Sequence, residues 1–348
     1  MPLKPGPVVL FGSGEIAPGS QPIYDAIMRL IAPPIRVSIL ETPAGFQLNS
    51  ADVAAAVGEY LQKHLQNYRP QVTIVPARKK GTPYSPDDPA IVAPLLTSQL
   101  LFLGPGSPTY AVRQLRDSLA WQIVQARHRL GHALVLASAA TIAASAWAVP
   151  VYEIYKVGED IHWKRGLDFG APYGLSLVFV PHWNNNEGGE KHDTSRCFVG
   201  KPRFEEMLAL LPDDVTIVGI DEHTALLMDV AAGQYQVLGH GGVTILRQGQ
   251  SKRCESGCHF DIDDFGSLRL PPLQAGISDR VWRLIAEAEA ADRATAHLPE
   301  EVFRLVEARQ AARERRDWSE ADRLREEIRA LGWQVQDTPQ GPQVSRLD

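Results

Sequence analysis

Three short segments of this sequence end an apolar run on a residue able to do chemistry. In Leu134-Val135-Leu136-Ala137-Ser138-Ala139-Ala140-Thr141 the run stops at a serine flanked by alanines, ahead of a helical pattern. Small neighbours let a hydroxyl stand clear of a sharp strand-to-helix turn, and the helix start adds backbone N–H groups and a positive dipole end. The same residues also suit plain helix capping by Ser138. Pro181-His182 puts an imidazole directly after the apolar run 177–180. A serine hydroxyl is a weak nucleophile until a base takes its proton, and histidine is the usual base near neutral pH. A histidine there can equally cap a strand. Gly219-Ile220-Asp221-Glu222 places two carboxylates after a third run. One carboxylate can hold an imidazole in the right tautomer and stabilise its cation; the pair can also be a solvated turn.

The elements that must position these groups follow from the hydrophobic pattern. Strands are predicted at 8–11, 36–40, 72–75, 100–103, 134–137, 177–180 and 215–219, with amphipathic helical segments such as 51–64 and 110–127 between them. Continuous apolar strands alternating with helices predict an α/β fold with an open, mostly parallel, doubly wound sheet. Ligands bind such sheets beyond the carboxyl ends of the strands. The Gly-rich turns Phe11-Gly12-Ser13-Gly14 and Gly104-Pro105-Gly106-Ser107 fall at that edge. The first lacks the third glycine of a dinucleotide fingerprint and is expected to be a packing turn. Segments 224–230, 235–238 and 243–246 are expected to be short antiparallel strands extending the sheet. The expected division is an α/β domain over 1–270, a linker and connecting helix over 271–297 beginning at Pro271-Pro272, and a small helical hairpin over 298–348.

The serine, the histidine after a strand, and the Gly-Ile-Asp-Glu-His-Thr-Ala-Leu segment (219–226) occur in an order that resembles the dipeptidase E and cyanophycinase serine peptidases. The resemblance covers 7–266 and implies a class I glutamine amidotransferase-like fold with serine in place of the amidotransferase cysteine. Carried onto this sequence, it implies Ser138 as nucleophile, His182 as general base and acid, and Glu222 as orienting carboxylate, with Asp221 as the competing acid. It also implies an oxyanion hole from the backbone N–H groups of Gly106 and Ala139. The expected activity is hydrolysis of a small peptide or amide, with no cofactor and no metal. The family's elbow carries glycine two residues before and two after the serine. Here Leu136 and Ala140 stand there, and Leu136 predicts either a less sharp turn or a poorly presented hydroxyl. Ser107 on the Gly-rich turn, and Asn184, Lys191 and Arg196 in the polar loop after His182, are expected to contact substrate. Arg203 is a further partner for a substrate carboxylate.

Farther on, Val302, Leu305 and Val306 form one helical stripe, and Ala321, Leu324, Ile328 and Leu331 another. Ser319 is the expected N-cap and Gly332 the stop. Trp333 to Gln336 alternates like a strand, and Pro339-Gln340-Gly341 would turn it back. The run Asp317-Trp318-Ser319-Glu320-Ala321-Asp322-Arg323-Leu324-Arg325 resembles the extreme C-terminal segment of cysteinyl-tRNA synthetases. That implies a tRNA contact, with Arg309, Arg313, Arg316, Arg323 and Arg325 as a phosphate-facing stripe. No motif like His-Ile-Gly-His or Lys-Met-Ser-Lys accompanies it, so charging of tRNA by that route is not expected.

The totals set outer bounds. Among 348 residues, 44% are hydrophobic and 22% charged, with a formal net charge of −6. That composition can bury a large core and argues against a generally nucleic-acid-coating surface. No secretory signal is read at the start. The apolar stretch 133–152 is broken by Ser138, Thr141, Ser145 and Pro150 and reads as strand and helix rather than a membrane span. Three cysteines, Cys197, Cys254 and Cys258, predict reduced thiols in a cytoplasmic protein. Cys254, Cys258 and His259, with His240, make a weak metal set because a second ligand pair is missing. A homodimer is a further expectation.

Overall fold

The computed structural model describes residues 4–296, 299–338 and 341–347. The chain divides into two compact units, 1–281 and 282–348.

The first unit is built on five parallel strands: β1 (Val8–Phe11), β2 (Arg36–Leu40), β3 (Gln71–Val75), β4 (Leu100–Leu103) and β5 (Ala133–Ala137). Their spatial order is β1-β5-β4-β2-β3, with Leu10 beside Leu136 and Leu136 beside Leu103. Val9, Phe11, Ile39, Phe102 and Val135 pack against α1 (Gln21–Met28) and α2 (Ser50–His64). The alternate residues Leu10, Leu101, Leu134 and Leu136 are buried too. Burial on both faces is why these strands carry no polar alternation. The chain continues through α3 (Pro89–Val92), α4 (Pro108–Leu115), α5 (Leu119–Arg129) and α6 (Ala139–Ala143). The stretch 110–127, expected as one amphipathic segment, breaks at Asp117, whose φ is 58°. Ser118 then caps α5 by accepting from Trp121 N–H at 3.1 Å.

A ribbon of β6 (Trp147–Ala148) and β7 (Lys164–Arg165) precedes β8 (Leu177–Val180), α7 (Lys201–Leu208) and β9 (Thr216–Ile220). Next come β10 (Thr224–Asp229), β11 (Gln234–Gly239), β12 (Gly242–Arg247), β13 (Gln250–Glu255) and β14 (His259–Asp261). β10, β11 and β14 extend the main sheet antiparallel beyond β1, to eight strands. The sequence reading of one sheet fails for β8, β9 and β12. With β13 they form a second, four-stranded sheet in the order β13-β12-β9-β8. The turn Asp221-Glu222-His223, with His223 at φ 54°, carries the chain from one sheet to the other.

Cys254 and Cys258, expected as free thiols, are joined as a disulfide across the turn between β13 and β14. That turn brings their Cα atoms to 5.7 Å, within bridging range. The stretch after Pro271-Pro272 lies on α5: Arg129 donates to the Leu273 and Ala275 carbonyls, and Gln122 accepts from Ser278 N–H. Among the described residues no helix is long and apolar enough to cross a membrane.

α8 (Asp279–Ala296) leads into the second unit, which holds α9 (Glu300–Glu314), α10 (Trp318–Ala330) and an antiparallel pair, β15 (Trp333–Thr338) and β16 (Gly341–Arg346). Val302, Val306, Ile328, Val335 and Val344 form its core. α10 is capped by Asp317, which accepts from Glu320 N–H, not by Ser319, which lies inside the first turn. Gly332, at φ 82°, follows the helix end. The expected turn at 339–340 falls outside the described residues.

Candidate active site

Ser138 stands where β5 gives way to α6, at φ 50° and ψ −107°. This left-of-normal backbone is costly for a non-glycine residue and is the signature of a strained elbow. Ser138 makes no capping hydrogen bond to α6. Its Oγ lies 3.0 Å from His182 Nε2 instead. Leu136 does not blunt the turn, because it is still inside β5, paired with Leu10 and Leu103 and buried in the sheet. Thr141 fastens the elbow from behind, donating to the carbonyls of Phe11 and Leu136 at 3.1 and 3.0 Å.

His182 follows β8 at φ 52°, its N–H directed to the Gly12 carbonyl at 3.3 Å. Its Nδ1 is 2.9 Å from Glu222 Oε1. The same oxygen accepts from Asn185 Nδ2 at 2.9 Å, and Asn184 Oδ1 accepts from Glu222 N–H at 2.8 Å. The hydrogen bond from His182, then that from Asn185, holds the Glu222 carboxyl below its ordinary range despite partial burial. A carboxylate bonded in this way orients the ring and stabilises its cation. Asp221 faces elsewhere. It is buried, accepts from Gly242 N–H at 2.9 Å and pairs with Arg253 at 2.7 Å. The competing acid is therefore a structural anchor for the turn that presents Glu222.

Two glycines let the strand ends meet. A Cβ on Gly12 would lie 2.0 Å from the Asp221 carbonyl oxygen, and one on Gly106 would lie 2.0 Å from that of Pro43. The turn after β1 is thus a close backbone approach.

Gly106, Ser138, Ala139 and His182 open on one cavity of about 280 Å³, walled by Ile142, Val151, Tyr152, Tyr155 and Phe198. Ala139 N–H is the first of α6 and has no partner within the helix, as befits an anion donor. Cys197 lines the cavity as well, but burial, reinforced by the Glu222 charge, pushes its thiol up and keeps it protonated.

Of the expected substrate contacts, Ser107 caps α4 through Tyr110 N–H and Asn184 is spent on Glu222. Arg196 does not reach the cavity. Its guanidinium lies 3.8 Å over the Trp183 ring and donates to the Trp183 carbonyl. Arg203 donates to the Val199 carbonyl. Lys191 is exposed in the loop. Sequence reasoning missed Asn185, one of three successive asparagines and the buried one, and the aromatic wall of Tyr152, Tyr155 and Phe198.

In the second unit Arg309 is buried and bidentate on Asp337, so it does not belong to a phosphate-facing stripe. Arg313 pairs with the same carboxylate and stacks on Trp318. Arg323 is bound to Glu320 and Glu327. Arg316 and Arg325 are exposed.

Residues 295–344 match the family described as the cysteinyl-tRNA ligase anticodon binding domain. The chain is 55% identical over 51 residues to the cysteine–tRNA ligase of Methanosarcina acetivorans, 15% of this chain and 11% of that protein. It is 39% identical over 69 residues to cysteine–tRNA ligase 1 of Burkholderia lata, 20% of this chain and 13% of that one. The chain thus spans only a small part of the curated relatives it matches. A crystal structure of a peptidase from an acI-B1 Actinobacterium superposes with a TM-score of 0.60, covering 75% of this chain and 98% of that chain at 20% identity, a likeness of fold. The chain therefore joins an α/β unit with the fold of a solved peptidase to a tail that resembles the anticodon-binding domain of cysteinyl-tRNA ligases.

Proposed function

We propose that the first unit is a serine hydrolase that cleaves a peptide or amide bond of a small substrate. The observation that carries this reading is the unbroken relay from Ser138 Oγ to His182 Nε2, 3.0 Å, and from His182 Nδ1 to Glu222 Oε1, 2.9 Å. Ser138 attacks the acyl carbon as His182 takes its proton. Glu222 keeps Nδ1–H turned inward and stabilises the imidazolium. His182 then protonates the leaving group, and water repeats the cycle on the acyl-enzyme. The backbone N–H groups of Gly106 and Ala139 receive the oxyanion, each such donor being worth roughly 3 kcal/mol of barrier.

A fluorophosphonate probe tests this. Wild type is expected to be labelled, and Ser138→Ala to lose labelling entirely. Equal labelling of both proteins, or none in wild type, sinks the reading.

A second reading is favoured by the family match at 295–344: a protein that binds tRNA through its tail in the cytoplasm and reuses the α/β fold to bind a ligand without catalysis. It takes over if wild type is not labelled.

A further inference from the structure

A second cleft adjoins the Ser138 cavity. It has a volume of about 1030 Å³ and shares Tyr152 with that cavity, while Ser107 and Thr109, one and three residues beyond Gly106, line it. Three cations line it: Lys79, Arg113 and Lys164. The one acid, Glu153, is committed to Lys164 at 3.0 Å. Lys79 and Arg113 form no ion pair among the described residues, on a chain whose net charge is −6. The cleft also exposes ring faces. Phe46 is 49% exposed, with its ring 5.3 Å from Tyr110, and Tyr152 is 40% exposed.

Arg113 lies 5.1 Å over the Tyr110 ring, and cations without an acidic partner beside the exposed rings of Phe46 and Tyr152 are a pairing that takes phosphate and base together. A simple carboxylate would use the cations and leave the rings bare. An extended peptide would use neither well. The cavity at Ser138 is more apolar, walled by Ile142, Val151, Tyr155 and Phe198, with Lys156 and Glu187 also on its lining. At about 280 Å³ it is smaller than a typical drug-sized site and suits one apolar side chain.

We propose that the substrate is an acyl nucleotide, with its apolar acyl group in the Ser138 cavity and its nucleotide in the cleft of Lys79, Arg113 and Phe46. This rests on the same Ser138 acyl-transfer chemistry as the hydrolase reading but replaces the peptide or amide bond with an acyl–oxygen bond. Ser138 Oγ forms the acyl ester as the bond between the acyl carbon and the nucleotide oxygen breaks. The proton that His182 took from Ser138 passes to the departing nucleotide. Water then releases the free acid, so one water is consumed for each acid and nucleotide formed. The nucleotide can be free or the 3′ end of a tRNA.

The test uses the full chain carrying Ser138→Ala and isothermal calorimetry with three probes: leucyl-sulfamoyl-adenosine, leucinamide and adenosine monophosphate. The joined probe is expected to bind at least about tenfold tighter than either half. Adding Lys79→Ala and Arg113→Ala is expected to weaken the joined probe and adenosine monophosphate about tenfold while leaving leucinamide unchanged. Equal affinity for leucinamide and the joined probe, or no effect of the double substitution, overturns the proposal. Wild type offered leucyl-adenylate and leucyl-tRNA separately then distinguishes the two sources. Turnover of either supports the proposal, and turnover of neither overturns it. Fluorophosphonate labelling does not need the cleft. A labelled enzyme blind to nucleotides defeats only this inference, whereas nucleotide binding without labelling defeats the hydrolase reading and leaves of this inference only the nucleotide site.

Discussion

Ser138 forgoes the capping bond its position offers, worth about 1 kcal/mol, and holds a backbone conformation that costs on the order of 1–3 kcal/mol. Its neighbours absorb that cost: Thr141 grips two carbonyls, and Leu136 fills the sheet. Glu15, on the turn after β1, is a second unfavourable residue. Burial pushes its carboxyl above the ordinary range, against the pull of its own backbone N–H and of His182. A carboxyl raised in the folded state adds stability below its unfolded pKa and loses it as pH rises through the folded value. Glu15→Gln is therefore expected to raise the melting temperature at pH 7–8 and to leave it unchanged below about pH 4. Thermal melts followed by circular dichroism across that range check this, and a shift of equal size at every pH would refute it.

At the scale of elements, β8 and β9 lie side by side, with Val180 opposite Gly219. Gly219 has no room for a side chain, since a Cβ would lie 2.3 Å from the Trp183 ring. Trp183 is next to His182, so the fit of one glycine sets the exit path of the chain that carries the imidazole. Gly219→Ala is expected to cost ~1–3 kcal/mol, lowering the melting temperature by several degrees, and to slow fluorophosphonate labelling. An unchanged melt would show that Trp183 yields freely. The strands were legible in the sequence because runs such as 8–11 and 100–103 are apolar at every position, as burial on two faces demands. Membership of a sheet was not. β8 and β9 look like β1 to β5 in composition, and only the distant pairing of β9 with β12 separates them. The break at Asp117 was hidden for a related reason, because apolar spacing runs through it. The strand-end positions of Ser138 and His182 were readable. The division of labour between Asp221 and Glu222, or among Asn184, Asn185 and Asn186, was not. Adjacent residues of one type differ only in the direction their backbone gives them, here through turns with His182 and His223 at positive φ.

At the scale of the whole molecule, the acidic balance leaves little general attraction for nucleic acid, so a tRNA contact has to come from a few residues. In the tail Arg309 and Arg313 are drawn inward by Asp337, which leaves Arg316 and Arg325 exposed. Arg316→Glu with Arg325→Glu is expected to weaken tRNA binding, measured by filter retention, by about tenfold or more at low salt and by less as salt rises. Retention unchanged by both reversals would remove the tail from the interface. The two sheets of the first unit bear on hydrolysis in another way. Ser138 leaves the eight-stranded sheet, whereas His182 leaves the four-stranded one, with Glu222 at the crossing between them. The hydroxyl and the imidazole are therefore carried by strands of different sheets. If the relay acts as proposed, a displacement of about 1 Å between those two strand ends costs on the order of a hundredfold in rate. Under the proposed mechanism, turnover is therefore expected to fade in mild denaturant while the circular dichroism spectrum of the folded protein is still intact.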